Sequence, residues 1–295
     1  MARNLLTGSE LEATEIASLL ARAEALKEGR AAGEGSRSLA GKTVALFFAR
    51  PSTRTRVSFE VGVFELGGHP MQLRPDELQL GRGESVADTG RVLSRVVHGI
   101  VVRTPSDDEV AELAAGSEMP VINGLTDRHH PCQALADLQT LQQRFGRVDG
   151  LRLAYVGDGN NVARSLATVA GAAGVEVRVA SPAGYELEPG TAAMQTDDPR
   201  EAVDGADAVY TDVWVSMGDD DEAAQRRADL SPYQVNEELV DAAAPHAIVL
   251  HCLPAHPGEE ITETVLYGER SAVWDQAENR LHAQKALLEL LVGSA

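Results

Sequence analysis

Hydroxyls and guanidiniums crowd into Ser52-Thr53-Arg54-Thr55-Arg56, directly after the apolar run Thr43 to Phe48 and directly before Val57, Phe59, Val61, Val63 and Phe64. A strand feeding the start of a helix in this way builds a phosphate site. The first N–H groups of the helix have no internal partner, the positive end of its dipole faces the same point, and both favour an anion. Ser52, Thr53 and Thr55 add hydroxyl donors, and Arg54 offers a planar fork of donors matched to phosphate oxygens. Without an anion the arrangement is unfavourable, because each cation in a first helical turn opposes the dipole by about 0.3–1 kcal/mol.

Other reactive groups also fall just after expected strands. Arg103 follows one such run, and His130 and Gln133 lie at the entrance of a helix that Pro131 is suited to open. A histidine there can donate a hydrogen bond to a developing oxyanion. Gly157-Asp158-Gly159-Asn160-Asn161-Val162 invites comparison with a dinucleotide fingerprint. Val162 replaces the third glycine, however, and the strand Val175 to Ala180 runs into Ser181-Pro182 with no acidic residue for a ribose. A nicotinamide site is therefore not expected, and Asn161 is read as an amide for a carboxylate. Asp212 ends another strand, where it either caps a turn or fixes a cationic amine with Ser216 and the Met217-Gly218 backbone beside it. Cys252, in His251-Cys252-Leu253-Pro254, reads as a small buried hydrophobe or a thiol at the sheet edge. His251 should point to the opposite face, so covalent cysteine catalysis is not expected. Arg280 is placed in the first turn of a terminal helix with Leu281, Ala286, Leu287 and Leu290 on its apolar face. It too would oppose a dipole there and favour an anionic partner.

The elements that must position these groups alternate. An opening helix carries Leu11, Ile16, Leu19, Leu20 and Leu26, and Gly29 to Ser38 breaks it. Strands are expected near 43–48, 70–73, 98–102 and 120–122, with helices near 54–66, 85–96, 107–115 and 131–144. A polar break at Phe145 to Gly150 leads to strands near 152–156, 175–180, 207–211 and 247–251, with helices near 161–173, 200–204, 236–243 and 277–292. The expected fold is α/β: two doubly wound domains, each a parallel sheet flanked by helices, with the active site in the cleft between them. The domains are placed at 1–145, with the helix of 277–295 packing back onto it, and at 146–276.

Composition narrows the partners. Forty-five acidic against 26 basic residues in 295 give a formal charge of −19, which disfavours nucleic acid and anionic membranes. An anionic substrate must then be captured by a local cluster of arginines, since Lys27, Lys42 and Lys285 are the only lysines, and a Schiff-base lysine is not expected. The two cysteines, Cys132 and Cys252, lie far apart without metal-type spacing, so neither a disulfide framework nor a metal site is expected. No apolar run approaches the roughly 18 residues of a membrane span and no secretion signal is visible, so the expected location is the cytoplasm.

Taken together, these residues resemble the carbamoyltransferases, specifically the ornithine branch, in one order along nearly the whole chain. Ser52-Thr53-Arg54-Thr55-Arg56 is similar to the carbamoyl-phosphate signature of that family and His130-Pro131-Cys132-Gln133 to its second shared element. Asp212 to Gly218 and His251-Cys252-Leu253-Pro254 resemble the ornithine-specific elements. The resemblance implies transfer of a carbamoyl group from carbamoyl phosphate to the side-chain amine of L-ornithine, without metal or organic cofactor. It implies that Ser52, Thr53, Arg54, Thr55, Gln79, Arg103, His130, Gln133, Cys252, Leu253 and Arg280 serve carbamoyl phosphate. Arg54, Arg103, His130, Cys252 and Arg280 are the catalytic set, and the Leu253 carbonyl lies near the side-chain amine. Asn161, Asp212, Ser216 and Met217 are implied to hold ornithine. Gln79 matches a position that reaches a neighbouring subunit's site, which implies a homotrimer. Two departures stand out: Pro257 where many relatives have a basic residue, and Gly83 in a loop that carries lysine in some. The alternatives are a carbamoyltransferase for putrescine or an N-acylated ornithine, and a non-catalytic anion-binding relative.

Overall fold

The computed structural model describes residues 2–75, 83–216 and 220–293, and its contacts divide the chain into two units, Met1–Gln139 with Asn279–Ala295, and Thr140–Glu278. In the first unit α1 (Ala13–Ala31) precedes β1 (Thr43–Phe48), α2 (Arg54–Glu65), β2 (His69–Leu73), α3 (Val86–Leu93), β3 (Gly99–Arg103), α4 (Asp107–Gly116), β4 (Val121–Leu125) and α5 (Pro131–Phe145). Four parallel strands lie in the order β2-β1-β3-β4. β1 and β3 are buried on both faces, hence their nearly unbroken apolar sequences TVALFF and GIVVR. The helices start where short polar side chains satisfy orphan N–H groups: Ser85 accepts from the N–H of Asp88, and Ser106 from that of Glu109.

The second unit contains β5 (Arg152–Val156), α6 (Asn161–Ala172), β6 (Glu176–Ala180), β7 (Met194–Thr196), α7 (Pro199–Val203), β8 (Ala208–Thr211), α8 (Ala223–Leu230), α9 (Glu237–Asp241), β9 (Ile248–His251) and α10 (Glu263–Leu266). Its five parallel strands run β7-β6-β5-β8-β9. The chain enters this unit within α5 and leaves it within α11 (Val273–Leu288), which ends in a π-helical turn at Glu289–Gly293.

Both sheets reverse their winding beside their first strand. After β1 the chain adds β2 on one side and then β3 and β4 on the other; after β5 it adds β6 and β7 and then β8 and β9. Such switch points open a crevice beyond the carboxyl ends of the two strands that flank them, and open α/β sheets bind ligands there. In the first unit those ends are β1, followed by Ser52 to Thr55, and β3, ending in Arg103. In the second they are β5, followed by Gly157 to Asn161, and β8, followed by Asp212.

The two-sheet α/β architecture matches the sequence expectation, with four local differences. α1 continues through Gly29, where a break was expected. β4 runs on through Asn123 and Gly124 to Leu125. β7, α8 and α10 were not expected; they have three, eight and four residues, too short for a periodic signal. The last helix begins at Val273 rather than 277, because Ala272 and Val273 are buried and extend its apolar face by a turn.

Candidate active site

In the first unit, α2 begins at Arg54 with Thr53 as its N-cap residue, and no side chain caps the helix. Its first turn contains no acidic residue, so the positive end of the dipole keeps its field for an incoming group. Thr53 and Arg54 are exposed, Ser52 is half-buried and Thr55 is buried. Arg103, buried at the end of β3, donates from Nη1 to Ser52 Oγ at 3.1 Å. The β3–β4 ladder shifts register at Val102/Arg103. A bulge of this kind re-aims the side chain at the strand end.

Arg280 ties three of the expected residues together. Its Nη2 donates to Thr55 Oγ1 at 2.5 Å, its Nη1 donates to Gln133 Oε1, and Nη1 lies 3.4 Å from His130 Nε2. Gln133 in turn donates from Nε2 to Asp137 Oδ1 at 2.8 Å. All five side chains are buried. One sequence argument fails here: Arg280 is not in a first turn but at the eighth residue of α11, so opposition to the helix dipole does not explain its charge. Its hydrogen bonds to groups on α2 and α5 do.

Burial is the largest influence on His130 and holds its imidazole well below the usual histidine range; the positive charges of Arg280, Arg103 and Arg54 push in the same direction. The ring is therefore neutral at neutral pH. Since a guanidinium can only donate, Nε2 is the acceptor toward Arg280 and the ring proton sits on Nδ1. A neutral, buried imidazole keeps its charge state while charge develops beside it. Cys132, in the same turn, donates to the Asn123 carbonyl at 3.3 Å, and burial pushes its thiol up to about 12, so it packs rather than reacts.

Sequence reasoning missed the support for this turn. The His129 N–H donates to Thr126 Oγ1 at 3.0 Å, Thr126 Oγ1 donates to Asp107, and His129 Nδ1 lies 2.9 Å from Asp107 Oδ2. Asp107 opens α4, and the acidic run after Ser106 was the available signal.

In the second unit Asp212 is nearly enclosed, and both its oxygens are occupied. Asn160 Nδ2 donates to Oδ2 at 2.9 Å and the Cys252 thiol donates to Oδ1 at 2.8 Å. Asn160 is the N-cap of α6: its Oδ1 accepts the N–H groups of Val162 and Ala163, and the Tyr155 hydroxyl at 3.2 Å. The sequence reading chose Asn161, which is the first helical residue and half-buried. Asn160 was missed, although asparagine immediately before a helix is itself a capping signal. Gly159 answers a packing need rather than a pyrophosphate: a Cβ there would lie 2.6 Å from the Tyr185 carbonyl oxygen. Ser216 is half-buried at the end of a loop whose Trp214 carbonyl accepts Arg226 Nε at 2.7 Å. Arg226 also pairs with Asp158 and lies 5.1 Å over the Tyr185 ring.

Cys252 and Leu253 follow β9, and Leu253 has φ of 59°. His251, Cys252 and Asp212 offer donor atoms within 4.8 Å of one another, a spatial group that the sequence spacing did not show. Hydrogen bonds account for it: the thiol serves Asp212 and both His251 ring nitrogens are engaged. Gln79 and Met217 lie outside the described residues. Gly83 has φ of 96°, a left-handed backbone that glycine enters without strain.

Residues 3–143 match the family described as aspartate/ornithine carbamoyltransferase, carbamoyl-P binding domain, and residues 149–291 its Asp/Orn binding domain. The chain is 50% identical to ornithine carbamoyltransferase of Methanospirillum hungatei, over 99% of this chain and 100% of that one. It is 53% identical to the enzyme of Methanothermobacter thermautotrophicus, over 94% and 95%. Its fold is similar to solved ornithine carbamoyltransferases from Pyrococcus furiosus, with a TM-score of 0.95 at 47% identity over 100% and 98% of the chains. For Thermus thermophilus the TM-score is 0.91 at 46% identity over 99% of both. With signature, switch points and full-length similarity in agreement, the chain belongs to the aspartate/ornithine carbamoyltransferase family.

Proposed function

We propose that this protein transfers the carbamoyl group of carbamoyl phosphate to the side-chain amine of L-ornithine, giving L-citrulline and phosphate. The observation that carries the reading is the first unit's cluster, in which Arg280 joins Thr55, Gln133 and His130, and Arg103 joins Ser52 at the mouth of α2. Ser52, Thr53, Arg54, Thr55 and Arg103 hold the phosphate; Arg280, His130 and Gln133 face the carbamoyl group. As the amine attacks, the carbonyl oxygen gains negative charge and phosphate departs. Fixed donors aimed at both charges stabilise that state without reorganising. Asp212, with Asn160 and Asn161, serves the charged α-amino and α-carboxylate groups, and Cys252 and Leu253 serve the reacting amine.

His130 is neutral across the working range, so the pH profile follows the substrate instead. The δ-amine attacks only when it has lost its proton, and an amine of this kind is mostly protonated at neutral pH, so turnover is expected to rise from pH 7 toward pH 9. Assays with ornithine, putrescine, N-acetylornithine and aspartate in parallel test the assignment. Ornithine is expected to give the highest kcat/KM, and a higher value for any other amine would overturn it.

The same reading includes a homotrimer in the cytoplasm. Val57 and Phe64 of α2, Met71 of β2, Val92 of α3 and the nearby Val96 are exposed apolar residues of the first unit that self-association would cover. Among the described residues no helix is long and apolar enough to cross a membrane. A solution mass three times that of the 31.3 kDa chain is expected by light scattering, and a monomer at micromolar concentration would contradict the trimer.

A further inference from the structure

Among the described residues Leu253 is the one non-glycine with a left-handed backbone, a conformation rare for a branched side chain and a genuine outlier when it occurs. A chain of buried hydrogen bonds holds it there. The Leu253 N–H donates to His251 Nδ1 at 2.9 Å. A backbone N–H can only donate, so Nδ1 is the acceptor, the ring proton sits on Nε2, and Nε2 donates to Glu260 Oε1 at 3.1 Å. The His251 and Glu260 side chains are wholly enclosed. The same Glu260 oxygen also accepts the His256 N–H at 2.6 Å. A tight turn returns Glu260 beneath His251, with the Glu259 N–H donating to the His256 carbonyl and the Gly258 N–H to the Ile261 carbonyl, each at 2.9 Å. On the other side the His251 N–H donates to Gln276 Oε1 at 2.8 Å, and Gln276 Nε2 donates to the Tyr210 hydroxyl at 3.1 Å.

A polar pair buried this deep is weak support for stability, because the cost of enclosing it offsets much of what its hydrogen bond gains. Its geometry points to another role. It fixes the direction in which the chain leaves β9, where Cys252 reaches Asp212 and Leu253 turns its carbonyl.

We infer that Glu260 and His251 are positioning residues for the amine substrate: the buried pair holds Leu253 left-handed and so aims its carbonyl, with the Cys252 thiol beside it, at the reacting amine. This rests on the reading of ornithine as that amine. Leu253 would otherwise relax to an ordinary backbone, and the competent loop would become a minor state. The apparent affinity for ornithine falls by the fraction lost, while the phosphate cradle of the first unit is untouched.

Steady-state kinetics on the full chain test it, with carbamoyl-phosphate binding followed by calorimetry. His251→Ala is expected to raise the KM for ornithine about 5- to 150-fold, the range that strain of this class implies. Carbamoyl-phosphate affinity should stay within about twofold, since this pair leaves that state's population unchanged. Glu260→Gln keeps an acceptor for Nε2–H and His251→Asn restores one for an N–H two residues on, so both should recover most of the loss. The decisive comparison is made in a Leu253→Gly background. Glycine enters the left-handed region unaided, so adding His251→Ala there should raise KM by less than about threefold. An equal rise in both backgrounds, or a loss of thermal stability with unchanged KM, overturns the inference and leaves the pair a structural one. If His251→Ala does not fold, the same comparison is made with Glu260→Ala against Glu260→Gln, and equal KM values for those two overturn it. A wild-type chain that makes no citrulline overturns the ornithine reading and this inference with it. A chain that makes citrulline but fails the comparison overturns this inference alone.

Discussion

Replacing Arg54 by alanine is expected to lower kcat/KM for carbamoyl phosphate by about a hundred- to a thousand-fold, the usual effect of removing one well-aimed donor from a charge-stabilising site. The thermal midpoint should not move. Arg54 is exposed in the first turn of a helix whose start contains no acidic residue, so in the unliganded chain its charge opposes the dipole, and truncating an exposed side chain changes stability little. The substrate reverses that sign. A doubly charged phosphate takes the guanidinium fork and the helix N–H groups together, and on a molecule of net charge −19 it needs this local field to approach at all. Kinetics beside a melting curve check both halves. Activity within tenfold of wild type, or a clear fall in midpoint, would count against the role given to Arg54.

Arg280→Ala should differ in kind, losing activity and stability together. Its guanidinium is buried and donates to Thr55 Oγ1 and Gln133 Oε1. Truncation leaves those acceptors enclosed without a donor, at about 1–3 kcal/mol each. A total near 2–6 kcal/mol shifts the midpoint downward by roughly 2–4 °C per kcal/mol for a unit of this size. Turnover should fall at least as far as in Arg54→Ala, because the same group faces the oxygen that gains charge. Differential scanning calorimetry with single-turnover kinetics separates the two losses. A variant that melts like wild type would show that the network around Arg280 contributes little to folding.

The contrast between these arginines also marks what could be read from sequence. Ser52 to Arg56 was legible because an apolar strand, hydroxyls and a helical face succeed one another within about two dozen residues, and their order fixes their geometry. Arg103 and Asp212 were legible for the same reason: each ends a buried strand. Arg280 was found as a residue but misplaced in its helix. Its position depends on where α11 starts, and that start lies in Val273-Trp274, an apolar beginning without a capping residue before it; Asp275 in the first turn was the available hint. Asn160 was missed because, beyond capping its own helix, it reaches the residue after a neighbouring strand, Asp212. Long-range pairs of this kind leave no periodic trace. The Glu260–His251–Leu253 chain is another: it joins a strand end to a turn nine residues on, and neither segment alone announces it. α8, with Leu230 as its one buried residue, had no apolar face to detect.

The proposed activity is a transfer, not binding alone, and product stoichiometry distinguishes the two. With carbamoyl phosphate and L-ornithine supplied, the purified protein should release one phosphate for each citrulline formed, and enzyme-dependent phosphate release should vanish when ornithine is left out. Phosphate released at the same rate without ornithine, or carbamoyl phosphate bound but no citrulline formed, would contradict it.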